Sequence, residues 1–244
     1  LRGSATGSAS ASVSVPASGA TSADVDDVIA GLDASPEQLA AADAGARGLL
    51  SVIVGGPGTG KTTTVAVLLA RLLAADPTTR IALVAPTGKA AARMGESIAE
   101  LAARLRRNGA DAAGDRGGRA GGGGPVGDGA VLDIAAAGGA EAAGAAVAVL
   151  ADRLAAAEVS TVHRLLGARP DGSLRHDRRT PLVHDVVSVD EPAMVSLPLM
   201  AHLLDAVRAD ARLVLVGDPG QLASVEAGSV LGDIAGPAVD AALE

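Results

Sequence analysis

A chain of 244 residues is long enough to bury a substantial core, and its lack of cysteine excludes disulfides and thiolate metal sites. The net charge of −8 gives no support to a blanket attraction to nucleic acid, so we expect any contact with DNA to be local. No apolar run reaches the ~18 residues that crossing a bilayer requires, and the Ser/Ala-rich start lacks the apolar centre of a secretory signal, so we expect a soluble, cytoplasmic protein. The start at Leu1 rather than Met leads us to expect a piece of a longer protein. Phe, Tyr and Trp are absent altogether. Leu, Val and Ala must then fill the core, and aromatic stacking is removed from the menu of nucleic-acid contacts. Of the 20 basic residues only Lys61 and Lys89 are lysine, and both fall in motif-like stretches.

Residues 1–22 are mostly Ser, Ala, Gly and Thr, too poor in large apolar side chains to offset their ordering entropy, and are expected to be disordered. A short acidic helix is expected near Asp24 to Leu32. Ser35-Pro36-Glu37-Gln38 reads as an N-cap followed by Pro at the first helical position, opening a helix to about Ala46. Gln38, one helix upstream of a glycine loop, is either an amide placed beside a nucleotide base or a solvated helix glutamine.

The apolar run Leu49 to Val54 is a buried strand. Gly55-Gly56-Pro57-Gly58-Thr59-Gly60-Lys61-Thr62 follows it, and Thr63 onward is helical. This is a Walker A loop: glycines let several N–H groups converge on one anion, Lys61 reaches the β- and γ-phosphates, and the Thr62 hydroxyl suits Mg²⁺. A nucleoside triphosphate is the expected ligand. A second strand, Arg80 to Ala85, enters Pro86-Thr87-Gly88-Lys89, a turn opening a helix to about Arg107 with Ala92, Ile98, Leu101 and Leu105 on its apolar side. That turn is either a second anion site suited to a nucleic-acid phosphate or a structural turn capped by Thr87.

Residues 108–129 are Gly, Ala, Asp and Arg, and are expected to form a flexible surface insertion. Helical character returns over residues 131–158, with Val147, Leu150 and Leu154 on one side, and Ser160 to Gly167 reads as a short capped helix closed by glycine. The basic patch Arg175 to Arg179 reads by default as a solvated loop, with a DNA or subunit contact as the alternative. Val186 to Val189 is a third strand delivering Asp190 and Glu191, where a Walker A protein needs one carboxylate for the metal and one for the attacking water. Leu197 to Arg208 is an amphipathic helix, and a fourth strand, Arg212 to Val216, leads to Gln221, a neutral amide able to sense a γ-phosphate. Alternating strands and helices with polar residues at the strand ends predict an α/β P-loop NTPase domain with a parallel sheet covered on both faces.

Taken together, the strings GGPGTGKTTTV from Gly55, APTGKAAARM from Ala85, STVHRLLGA from Ser160, VDE from Val189 and GDPGQLASVEAGSVLGDI from Gly217 resemble the RecD-type superfamily 1 DNA helicases, the alpha subunits of exodeoxyribonuclease V. The resemblance implies a RecA-like ATP-binding motor lobe over residues 23–235, with residues 236–244 a truncated end before a second lobe. It implies ATP and Mg²⁺ as cofactors, with Gln38 reading adenine, Gly55 to Thr63 holding the nucleotide, Thr62 and Asp190 on the metal, and Lys61, Asp190, Glu191 and Gln221 as the catalytic set. Pro86, Thr87, Gly88, Lys89 and His163 fall where the family touches single-stranded DNA. It also implies 5′ to 3′ unwinding, single strands and duplex ends as substrates, and beta and gamma subunits as partners in break repair and recombination. The chain departs from the family in having Pro192-Ala193 after the carboxylate pair. Proline there keeps Glu191 out of helical dihedrals and alters the placing of water. A P-loop kinase and a catalytically degenerate nucleotide-binding or scaffold lobe are the alternatives.

Overall fold

The structure, a computed structural model, describes Ile29, residues 32–119 and residues 144–218. The lead-in, the rest of the acidic helix, residues 120–143 and everything from Pro219 on, including Gln221, lie outside the described residues.

Five strands, β1 (Leu50–Val54), β2 (Ile81–Ala85), β3 (Glu158–Thr161), β4 (Val186–Asp190) and β5 (Arg212–Gly217), form one parallel sheet in the order β1-β5-β4-β2-β3. This is the RecA-like α/β P-loop fold. Four strands correspond to the apolar runs of the sequence. The fifth, β3, corrects the expectation of helix up to residue 158: Glu158-Val159-Ser160-Thr161 has one large apolar side chain, yet it pairs with Ala82 to Ala85 along the sheet edge. Because β5 pairs with both β1 and β4, it separates the phosphate-loop strand from the carboxylate strand by one strand width.

Side-chain alternation sorts the core into two layers. Ile81, Leu83 and Ala85 of β2 face a cluster built with α1 (Pro36–Arg47), α2 (Lys61–Ala75), α3 (Gly88–Arg119) and α4 (helical residues 144–155). Ala82 and Val84 face the other way, against α5 (Val162–Leu165) and α6 (Leu197–Ala206). Without aromatic rings these layers are filled by Leu, Val, Ile, Ala and Met. The helix α2 is buried at every position from Thr64 to Ala70, as a helix packed between sheet and neighbouring helices must be.

Ser35 caps α1, and its hydroxyl and the Gln38 side chain form the reciprocal capping box. Gly45 faces Leu68 of α2 so closely that a Cβ there would overlap the leucine side chain. In α3, Ala91 rather than Ala92 is buried, together with Met94, Ile98, Leu101 and Leu105. Three consecutive alanines carry no signal that could orient the helix. α3 also runs to Arg119, so residues 108–119 are helical rather than part of a loop. Gly109 admits Val147 of α4 against the α3 backbone, and Val147, Leu150 and Leu154 are buried as expected.

At the amino ends of β2, β4 and β5, Asp185 closes a clamp. Its carboxylate accepts from the Arg80 backbone N–H and Nε, both at 2.9 Å, and from Arg208 Nη2 at 2.7 Å. These charge-assisted bonds hold its pKa far below the usual carboxylate range. The chemistry sits at the opposite, carboxyl edge.

Candidate active site

Val54 ends β1 at that edge, and Gly55 to Gly60 carry the chain back into α2. Gly58 (φ 76°) and Gly60 (φ 78°) are left-handed, and a Cβ at Gly60 would overlap Gln38 Nε2. The loop is tightened by Thr59 Oγ1, which donates to the Gly56 carbonyl at 2.9 Å. Lys61 Nζ donates to the carbonyls of Gly55 at 2.7 Å and Gly56 at 2.9 Å, so an arriving phosphate oxygen competes with these two acceptors for the ammonium. α2 begins on Gly60 with no side-chain cap, which leaves first-turn N–H groups to an anion.

Gln38 touches this loop directly. Its Oε1 accepts from Ser35 N at 2.9 Å and its Nε2 donates to the Thr59 carbonyl at 2.8 Å. The side chain is therefore not simply solvated: one end completes the cap of α1 and the other steadies the phosphate loop.

Asp190 is the last residue of β4, opposite Val216 of β5. Burial pushes its carboxyl pKa up, the neighbouring Glu191 adds to the rise, and Lys61 opposes it. Glu191 lies at φ 48°, ψ 52°. Proline at the next position excludes the right-handed helical region as expected, but the backbone settles in the left-handed region rather than the extended one. Its N–H donates to the Val216 carbonyl at 2.8 Å and to Asp190 Oδ1 at 3.1 Å, and its carbonyl accepts from Met194 N at 3.0 Å across the 3₁₀ turn Pro192–Met194. Those three bonds offset a backbone strain of about 1–3 kcal/mol.

A cleft of about 260 Å³ opens between these elements. Thr62, Asp190 and Glu191 line one side, and Thr87, Lys89, Arg93 and Ser97 the other. The structure thus brings together Thr62 of the phosphate loop, the carboxylate pair, and the turn residues Thr87 and Lys89. Pro86 and Gly88 flank that turn without lining the cleft. Arg93 and Ser97 were not singled out from the sequence, although they follow Lys89 at intervals of four and so share its helix face. His163 is not in this cleft. It lines a second one of about 410 Å³ beside α5 and α6, together with His176 of the basic patch and His202, which sequence reading passed over.

Two models described as AAA domain match the chain, one over residues 38–113 and one over residues 117–244. The RecBCD enzyme subunit RecD of Mycolicibacterium smegmatis is 46% identical over 205 residues, which are 81% of this chain and 30% of that protein. The subunit RecD of Haemophilus influenzae is 37% identical over 187 residues, 76% of this chain and 24% of that protein. The ATP-dependent RecD2 DNA helicase of Deinococcus radiodurans is 34% identical over 196 residues, 80% of this chain and 19% of that protein. The chain spans less than a third of the length of these relatives. With a phosphate loop and a strand-end carboxylate pair at one edge of a parallel sheet, the chain belongs to the AAA domain family, and over about four-fifths of its length it is similar to RecD subunits.

Proposed function

We propose that the chain is the ATP-binding lobe of an ATP-dependent DNA helicase, a RecD-type subunit of a RecBCD (exodeoxyribonuclease V) complex working in double-strand-break repair and recombination. The observation that carries this reading is the single cleft in which Thr62, at the end of the phosphate loop, meets Asp190 and Glu191. A phosphate cradle alone binds nucleotide; a cradle with two carboxylates facing it supports hydrolysis.

In this reading the loop N–H groups and Lys61 hold the β- and γ-phosphates. Thr62 and Asp190 offer the oxygen ligands a hard cation needs, and Mg²⁺ asks for only one or two side chains when phosphates and water supply the rest. When bound, Mg²⁺ neutralises charge developing on the phosphate oxygens. Glu191 orients a water and takes its proton, and Gln221 reports whether the γ-phosphate is present. Thr87 and Lys89 border the same cleft, which supports a role in linking DNA phosphates to the nucleotide, with His163 meeting the strand farther along. Single strands and duplex ends are the proposed DNA substrates, and the beta and gamma subunits the proposed protein partners.

The left-handed Glu191 before Pro192 favours a second reading, a lobe that binds nucleotide without hydrolysing it. Phosphate release from ATP, measured with and without single-stranded DNA, separates them. We expect slow but measurable release. Lys61→Ala should weaken ATP binding at least about tenfold, and Glu191→Gln should keep binding while release drops by about 100-fold or more. Release unaffected by Glu191→Gln overturns the catalytic reading, and transfer to a nucleoside acceptor instead of water points to a kinase.

A further inference from the structure

The second cleft is built from α5, the loop that follows it between Gly167 and Leu182, and the first turns of α6. Each contributes a histidine, so that three of the chain's four histidines, His163, His176 and His202, line one cavity of about 410 Å³. Leu174, Pro198 and Leu199 supply apolar wall between them. In a chain with no Phe, Tyr or Trp, imidazole is the flat ring that remains for stacking on a base. The three rings do not gather as metal ligands: among the described residues no three His, Cys, Asp or Glu side chains are placed to hold an ion.

The loop that carries His176 is held in shape before any ligand arrives. The N–H groups of Arg175 and His176 both donate to the Leu166 carbonyl, at 2.9 and 3.1 Å, and His176 Nδ1 lies 3.1 Å from the Thr180 carbonyl, which fixes the ring. Asp177, the one carboxylate lining the cleft, accepts from the N–H groups of Arg179 and Thr180 at 2.8 Å each, so its charge is already engaged. Arg175 and Arg179 stand exposed on the same loop and make no salt bridge among the described residues, whereas Arg178 is tied to Asp205 at 3.2 Å.

We infer that this cleft is a subsite for an unpaired nucleobase of single-stranded DNA, the base stacking on the His176 and His202 rings against the Leu174 and Leu199 wall while Arg175 and Arg179 meet the flanking phosphates. It rests on the proposal that the chain binds DNA, and it reverses one expectation from composition, since the absence of aromatic residues does not remove stacking when histidines converge.

The test compares a thymidine oligonucleotide with a fully abasic strand of the same length, each titrated into the full chain by fluorescence anisotropy. Abasic strands keep the phosphates and lose the stack, and register along a uniform strand is immaterial. The base-containing strand should bind about 5- to 100-fold more tightly. His176→Ala combined with His202→Ala should collapse that ratio toward one, and His202→Phe should keep or raise it. Both side chains are outside the buried core, and the ratio within one variant cancels any general loss of binding. An unchanged ratio in the double variant overturns the subsite. Equal binding of both strands by the unsubstituted chain overturns the subsite alone, and binding of neither overturns the DNA reading with it.

Discussion

Asp190 illustrates how a site residue works against the fold that holds it. Its raised pKa means that the folded state prefers the protonated acid, so stability is lost as pH rises through the folded value, and an amide in its place escapes that loss. Asp190→Asn should therefore raise the melting free energy at neutral pH, by on the order of 1 kcal/mol, while removing Mg²⁺-dependent nucleotide affinity. In the unsubstituted chain the same affinity should weaken on acidification from above the ordinary Asp value of 3.8, because the cation needs the ionised form. A calorimetric titration across that range, beside thermal melts of both proteins, reads both signs. A lower melting point for Asp190→Asn would remove the argument from burial. The positions of Lys61, Thr62, Asp190 and Glu191 were legible in the sequence, since each follows an apolar run that forms a strand, but β1 is not the buried strand its run implied: it lies at the sheet edge, where Leu50 and Val54 are exposed and Ile53 is buried. What was not legible was the company they keep: Arg93 and Ser97 enter the cleft through helix phase, and His176 and His202 through a loop and a helix that only folding brings together.

Helix contacts depend on where glycine permits backbones to approach. Gly45→Ala gains about 1 kcal/mol of helix propensity in α1 but drives a methyl group into Leu68, and overpacking a dense core costs about 1–3 kcal/mol. The net change should be destabilising, and if the overlap is the cause Leu68→Ala should cost less in the Gly45→Ala background than alone; urea melts of the single and double variants decide. The Asp185 clamp is an element-level device as well, tying the starts of β2, β4 and β5. With a folded pKa depressed below the ordinary 3.8, its contribution is complete above that value and is lost as pH falls through the lower folded one. Asp185→Asn should cost about 1–2 kcal/mol at neutral pH, after allowance for its partial exposure. Its acid limb should be flatter than that of the parent in melts taken from about pH 5 down to about pH 2. Boundaries were less readable than these contacts. β3 is a strand because β2 offers it an edge, not because Glu158 to Thr161 favour one, and α3 continues beyond Arg107 where Gly109 lets Val147 of α4 against its backbone.

At the scale of the whole molecule, the −8 net charge leaves attraction for DNA to a few side chains, Lys89 and Arg93 at the first cleft and Arg175 and Arg179 beside the second. With about four phosphate contacts on a single strand, the slope of log affinity against log salt should be no steeper than about −3. A markedly steeper slope in a salt titration would mean a broad basic surface that these residues do not provide. The α/β class followed from the alternation of apolar runs and helical periods, but the strand order did not, because no local pattern states that the last strand slides between the first and the fourth. That placement has a mechanical result. The Gly217 carbonyl takes the N–H of Gly55, and one residue earlier the Val216 carbonyl takes the N–H of Glu191, so a single strand tip is fastened to the glycine loop on one flank and to the end of the carboxylate strand on the other. Tugging the polypeptide where it leaves that tip disturbs both anchorages in the same instant, so Gly55 and Glu191 shift together rather than singly.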